Sequence, residues 1–293
     1  MIPPRIVLAA VDFSESSRSA LTFAARLAKH AGARLHVVYA QDPLLASAAR
    51  SAGIDIDAET RAELTTFMQS APPAGEWSPF HDVAEGQAAE VVCDIADREN
   101  ADVIVVGAHG MSGVGRALFG STTEGLLRKA DHSVLVVPDS WTPPRQETND
   151  LSGVGPIVIG VEPEPPAFAA ARAGRELAAL LGTGLELRHV VPPPSVLARW
   201  SAHAEIAQQQ RVNEARDQFA SSPLKDLASD GVQIAIGPVA EQLAEAVRVT
   251  GDRRPVLVIG RRTHSERHDA PGHIAVRVLA LTDSPVLMYL PDR

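Results

Sequence analysis

Three glycines and a run of hydroxyl residues carry the most specific chemistry in the chain: Gly107, Gly110 and Gly120, then Ser121, Thr122 and Thr123. Glycine lets backbone approach a ligand that side chains would hold off. A serine or threonine at a helix start adds a hydroxyl beside backbone N–H groups with no helical partner, at the positive end of the helix dipole. Two such points on one loop make a cradle for phosphates. The residues that must position this cradle lie on either side of it. Val103 to Val106 is a short β-branched run that reads as a buried strand, and a helical stretch follows Gly120.

Other chemistries fit less well. Gly113-Val114-Gly115 begins like a dinucleotide fingerprint, but Leu118 stands at the third glycine position and no strand directly precedes it. A Gly-x4-Gly-Lys-Ser/Thr loop is absent. His30, His36, His81, His109, His132 and His189 are too scattered for metal-ligand spacing, and Ser121 has no evident base partner. Metal or catalytic residues are therefore not expected. The single cysteine, Cys93, falls in a helical pattern and reads as a small buried residue.

Upstream, Ile6 to Val11 is a continuous apolar run ending at Asp12-Phe13-Ser14-Glu15, which suits a strand buried on both faces. Ser14 is a good helix N-cap, and Leu21, Ala25 and Ala28 share one face of the helix that follows. Strands are expected at Leu35–Ala40, Trp77–Val83 and Ser133–Val137, and helices at Leu44–Ser51, Asp57–Met68 and Ala88–Glu99. Alternating strands and helices predict a doubly wound parallel sheet, which binds ligands just past its strand carboxyl ends. Asp12, the end of strand two and Gly107 all fall there.

The pattern then recurs. Ser140 to Gly155 reads as a polar linker. Ile157–Glu162 repeats the first strand, Gly184–Val191 the second, Gly237–Glu241 the segment Gly86–Glu90, Pro255–Gly260 the central strand and Pro285–Pro291 the last. In the second strand, His189-Val190-Val191 echoes His36-Val37-Val38. The expected layout is a domain over 1–140, a linker over 141–153 and a second domain over 154–293.

Gly-x2-Gly-x9-Gly-Ser, with its preceding strand, resembles the nucleotide-binding motif of the universal stress protein family, and the likeness runs through both halves. It implies two tandem five-stranded α/β domains, packed as a pseudo-dimer or assembling as a homodimer through the last strands, Val134–Val137 and Val286–Leu290. It implies ATP as ligand, with or without Mg2+, and a stress-response module with no catalytic residues. On this resemblance Asp12 and the Val37 backbone contact adenine beside Val11, Phe13 and Ser14. Gly107, His109 and Gly110 line ribose and α-phosphate, and Gly120, Ser121, Thr122 and Thr123 hold the outer phosphates. Two alternatives stay open: slow ATP hydrolysis at the same site, and an interaction protein whose site is vestigial.

The second half departs from the motif. Glu162 replaces the aspartate, Thr263 the second glycine and His273 the serine, and Gly272 comes one residue early. Arg261, Arg262, His264, Arg267 and His268 form a positive cluster there. The whole chain has 293 residues, 45% hydrophobic and 22% charged, enough apolar mass for two cores. Its net charge of −9 argues against a nucleic-acid surface but not against phosphate held by a local cradle of N–H groups. With no long apolar span and no signal pattern at the N-terminus, a cytoplasmic protein is expected.

Overall fold

A computed structural model describes residues 3–69, 79–110, 119–142, 151–194, 201–227, 231–261 and 273–291. The first half runs β1 (Ile6–Val11), α1 (Glu15–Ala31), β2 (Arg34–Gln41), α2 (Pro43–Ser51), α3 (Ile56–Gln69), β3 (Phe80–Glu85), α4 (Ala88–Glu99), β4 (Val103–Gly107), α5 (Ser121–Lys129) and β5 (Ser133–Val137). The second runs β6 (Val154–Gly160), α6 (Pro165–Leu181), β7 (Leu185–Val191), α7 (Ser201–Ala220), β8 (Val232–Ile236), α8 (Val239–Ala246), β9 (Arg254–Gly260), α9 (His273–Leu281) and β10 (Val286–Tyr289).

The strands form one ten-stranded sheet in the order β3-β2-β1-β4-β5-β10-β9-β6-β7-β8. Each half has the doubly wound order expected, and its internal pairs are parallel. The halves join through an antiparallel pair, β5 with β10, in which Val136, Leu135 and Val134 face Val286, Leu287 and Met288. The last strands thus pair within one chain, as a pseudo-dimer. The Leu290 N–H donates to Ser133 Oγ across this seam at 3.0 Å.

Strand side chains alternate between two layers, which is why β1 and β4 read as unbroken apolar runs. Val7, Ala9 and Val11 face α1 and α3, where Leu21, Leu64 and Phe67 are buried, and this layer continues across the seam to α6 and α7. Leu8 and Ala10 face the layer of α4, α5, α8 and α9. Both cores cross the seam, so neither half buries its apolar surface alone.

The sequence echo in the second strands proves to be slipped. The Gly86 N–H donates to Gln41 O at 3.1 Å, and the Gly237 N–H to Val191 O at 3.2 Å, which makes Gln41 and Val191 equivalent. Counting back, His189 stands where Tyr39 stands, three residues beyond His36. Register agrees: Tyr39 pairs with Val11, and Gly160 pairs with Arg188, putting His189 level with Val161. Strand three starts at Phe80, later than the expected Trp77, which lies outside the described residues. The described ends of the expected linker are not polar surface, because Trp141 and Leu151 are buried in the core.

Candidate functional site

The order β3-β2-β1-β4-β5 reverses direction between β1 and β4, so the turns leaving these two strands diverge and open a crevice at their carboxyl ends. Register puts Val11 level with Tyr39 on β2 and Gly107 level with Val137 on β5. The β1–α1 turn is held by its own side chains. Ser14 N–H and Oγ donate to Asp12 Oδ1 at 3.1 and 2.5 Å, while Ser14 Oγ accepts from Ser17 N–H and caps α1. Phe13 takes φ +65°, rare for a bulky residue, and its ring stacks on Tyr39 at 4.6 Å with Phe67 edge-on at 5.5 Å.

The glycine loop sits directly against this turn. A Cβ on Gly107 would strike the Ser16 side chain and lie 2.8 Å from its backbone carbonyl; a Cβ on Gly110 would lie 2.7 Å from Asp12 Oδ2. At Gly107 a side chain would require the turn itself to move, and at Gly110 it would displace the Asp12 carboxylate. The His109 N–H donates to Ser16 Oγ at 3.1 Å, and Gly120 N–H donates to Ala108 O at 3.0 Å, bringing the two ends of the loop together. Residues 111–118 between them lie outside the described residues.

Helix α5 begins at Ser121 with Gly120 as its N-cap, a residue with no side chain to cap the first turn, whereas α1 and α2 are capped by Ser14 and Asp42. The leading N–H groups of a helix have no partner within the helix itself. Ser121 is exposed and, with Thr122, lines an open cleft of about 560 Å³ that reaches Ala40 and Asp42 at the end of β2 and Gly86 and Gln87 at the β3–α4 turn. The two basic residues on its wall are paired, Arg128 with Glu124 at 2.7 Å and Lys129 with Glu90 at 2.6 Å. Asp42, at the β2 end of the cleft, also stands near Tyr39. Burial pushes the Tyr39 hydroxyl pKa above its ordinary value, and the carboxylates of Glu63, Asp12 and Asp42 push it further.

The structure therefore brings together Asp12, Phe13, Ser14, Gly107, His109, Gly110, Gly120, Ser121 and Thr122, with Val11 buried just below Asp12. Two expected positions need correction. Val37 is fully buried in mid-strand, paired with Ala9 and His81, three residues or ~10 Å below the level of Asp12. The β2 residue level with Asp12 is Ala40, whose place the slipped sequence echo concealed. Thr123 is buried and its Oγ1 donates to Gly107 O at 2.6 Å, so its hydroxyl locks the loop and does not face the cleft. Ser16 gave no signal in sequence, because its role is visible only once α1 packs against the glycine loop.

The universal stress protein family model matches residues 4–138. Universal stress protein A homolog 1 of Coxiella burnetii is 31% identical over 139 residues, spanning 45% of this chain and 94% of that one. The chain belongs to the universal stress protein family. Its fold over the full length is also similar to solved structures. A universal stress protein from Archaeoglobus fulgidus covers 97% of this chain and 96% of that one, with TM-score 0.58 at 15% identity. A protein of unknown function, PA1789 from Pseudomonas aeruginosa, covers 99% and 94%, with TM-score 0.60 at 17% identity.

The second half of this universal stress protein is built differently at the same place. Burial raises the Glu162 carboxyl pKa, with His189 opposing and Glu164 reinforcing the shift. His189 Nδ1–H donates to Val161 O at 2.9 Å, Glu162 Oε2 lies 3.6 Å from the same nitrogen, and the ring packs on Phe219. Of the expected positive cluster, Arg261 is buried and directed away into the first half; Arg262, His264, Arg267 and His268 lie outside the described residues, as do Thr263 and Gly272. Among the described residues no helix is long and apolar enough to cross a membrane, and no group of three His, Cys, Asp or Glu could hold a metal ion.

Proposed function

We propose that the first half binds one adenine nucleotide, ATP, and that the protein serves in the cytoplasm as a nucleotide-binding stress-response module without turnover of its own. One observation carries this reading: the glycine loop is seated on the Asp12 turn at Gly107 and Gly110, and Gly120 at its far end opens a helix whose first residues, Ser121 and Thr122, line an open cleft. The Asp12 carboxylate suits a base with an amino group, and the start of α5 suits phosphate. The Asp12 carboxylate, held in place by Ser14, is the acceptor for the adenine amino group, with the Ala40 backbone at the same level. Gly107, His109 and Gly110 flank the ribose and α-phosphate, and the N–H groups of Ser121 and Thr122 receive the outer phosphates. The described side chains offer no cage for Mg2+, and no step is assigned to it.

The test is calorimetry on nucleotide-stripped protein. One ATP per chain, with GTP weaker, is expected, and Asp12→Ala should weaken ATP by about 1.5–3 kcal/mol, the worth of a hydrogen bond to a charged group, or roughly 10- to 150-fold. Two ATP per chain, or equal affinity for ATP and GTP, would overturn the reading. Because both cores cross the seam, the full chain is the material to use.

A second reading, slow ATP hydrolysis, is favoured by one observation. His109 Nδ1 lies 3.0 Å from Asp139 Oδ2, so the carboxylate can orient an imidazole beside the phosphate loop as a general base. Sustained phosphate release that disappears in His109→Asn would select this reading over simple binding.

A further inference from the structure

The first half's phosphate-facing helix is completed by a residue of the second half. At nine residues α5 is short, and it ends without a left-handed cap of its own: Ala130 is extended, and its N–H returns only to Leu126 O. By contrast α1, α4 and α6 close on Gly32, Asn100 and Gly182 in the left-handed conformation, each with two backbone bonds. The missing cap comes from across the seam. The Arg261 guanidinium, 6% exposed, donates from Nη2 to Leu127 O and Ala130 O and from Nη1 to His132 O, all at 3.1 Å. A delocalised charge with a rigid fork of donors suits several carbonyls at once. It also sits where the helix dipole favours a cation.

This placement follows from the fold. Arg261 occupies the position that Ala108 occupies in the first half: Ala108 N–H donates to Val137 O, and Arg261 N–H donates to Tyr289 O. Because β5 and β10 run antiparallel, the carboxyl end of the second half's strands meets the amino end of β5, where α5 terminates. The helix thus carries a buried cation at one end and, about 13 Å away, the N–H groups assigned to phosphate at the other.

We propose that Arg261 is a positioning residue for nucleotide phosphate: by closing the last turn of α5 it fixes the helix and its dipole, and so sets the affinity of the Ser121 end for phosphate. The second half is then part of the first half's binding site although it touches no ligand. The proposal rests on the nucleotide reading above, and its test separates the two.

The experiment measures ATP and adenosine affinity by calorimetry for the full-length protein and for Arg261→Gln and Arg261→Lys. Wild type should favour ATP over adenosine through its phosphates. Arg261→Gln should lose ATP affinity on the order of tenfold while adenosine affinity holds, and Arg261→Lys should recover part of the loss. Hydrogen exchange without nucleotide should show Leu126–Ala130 exchanging faster in Arg261→Gln, with α8 unchanged. A merely structural role would lower thermal stability and leave the ATP-to-adenosine ratio intact; that ratio, unchanged in Arg261→Gln, overturns the proposal. If wild type itself binds no ATP, the nucleotide reading fails and takes the proposal with it. Should Arg261→Gln not fold, the same ratio in Arg261→Lys decides, an unchanged value again overturning it.

Discussion

Replacing Gly110 with alanine tests the contact between the glycine loop and the Asp12 turn. The Gly110 backbone is not left-handed, so alanine is allowed there, and the question is one of space alone. Its Cβ would lie 2.7 Å from Asp12 Oδ2, and ordinary contact begins near 3.4 Å, so the carboxylate must retreat by about 0.7 Å. Hydrogen bonds tolerate only a few tenths of an ångström around their optimum. The other oxygen, Oδ1, is tied to Ser14 Oγ at 2.5 Å, and turning the carboxylate strains that bond while moving Asp12 from the position proposed to meet the base. Losing one charge-assisted hydrogen bond to the ligand corresponds to about 1.5–3 kcal/mol, roughly 10- to 150-fold in ATP affinity. Stability should change less: overpacking costs about 1–3 kcal/mol, offset in part by about 0.4–1 kcal/mol from the stiffer unfolded chain. Calorimetry with ATP, beside a thermal melt, reads both effects. Gly174→Ala is the control: its Cβ would strike Ile159 in the second half's core, so it should lower the melting temperature and leave ATP affinity alone. If Gly110→Ala binds ATP within twofold of wild type, the ligand does not depend on Asp12 as placed here.

Three further outcomes follow from groups outside the cradle. Gln41 is 1% exposed, and among the described residues neither atom of its amide finds a hydrogen-bond partner, while the equivalent residue of the second half is Val191; Gln41→Val should stabilise by about 1–3 kcal/mol in a denaturant melt, and a loss of stability would show that the amide is satisfied by water. Burial would raise the Asp82 carboxyl pKa, but the hydrogen bond and charge of Arg98, with His36, outweigh it and hold it below the ordinary value. That depression contributes stability above the unfolded pKa of about 3.9, lost as pH falls through the lower folded value, so Asp82→Asn should flatten the acid limb of a melting-temperature profile; an unchanged limb counts against it. Burial, with Asp97, Asp94 and Asp131 nearby, pushes the Cys93 thiol up to about 11; native protein should react slowly with a thiol reagent at neutral pH and fast when unfolded, and rapid native labelling would contradict the burial.

What the sequence made legible was whatever depends on local pattern. Buried strands leave unbroken apolar runs, so β5 begins and ends at the expected Ser133 and Val137, and α4 spans the expected Ala88 to Glu99. Glycine spacing located Gly107, Gly110 and Gly120, because close backbone approach leaves a mark in residue type. Register leaves no such mark. His36-Val37-Val38 and His189-Val190-Val191 look alike, yet hydrogen bonds at Gly86 and Gly237 set the strands three residues apart, which put Val37 where Ala40 belongs. Side-chain direction at a helix start was equally hidden: Ser121 and Thr122 face the cleft while Thr123, one step on, turns inward to Gly107. Arg261 read as a loop cation because nothing local reveals three carbonyls contributed by residues far away in the chain.

The seam between β5 and β10 joins two copies that no longer have to be identical. In an assembly of two separate, equal chains, every substitution appears twice, and an arginine reaching across the interface from one ligand loop would enter the other loop as well. Covalent linkage removes that constraint. It also holds the partner surface at a fixed high local concentration, so the seam does not weaken on dilution. One copy can then keep a small residue, as at Ala108, while its sister places a bulky cation at the same address, as at Arg261. Division of labour between twin sites is the freedom that fusion confers, and it is open only to a protein whose two halves can never exchange partners.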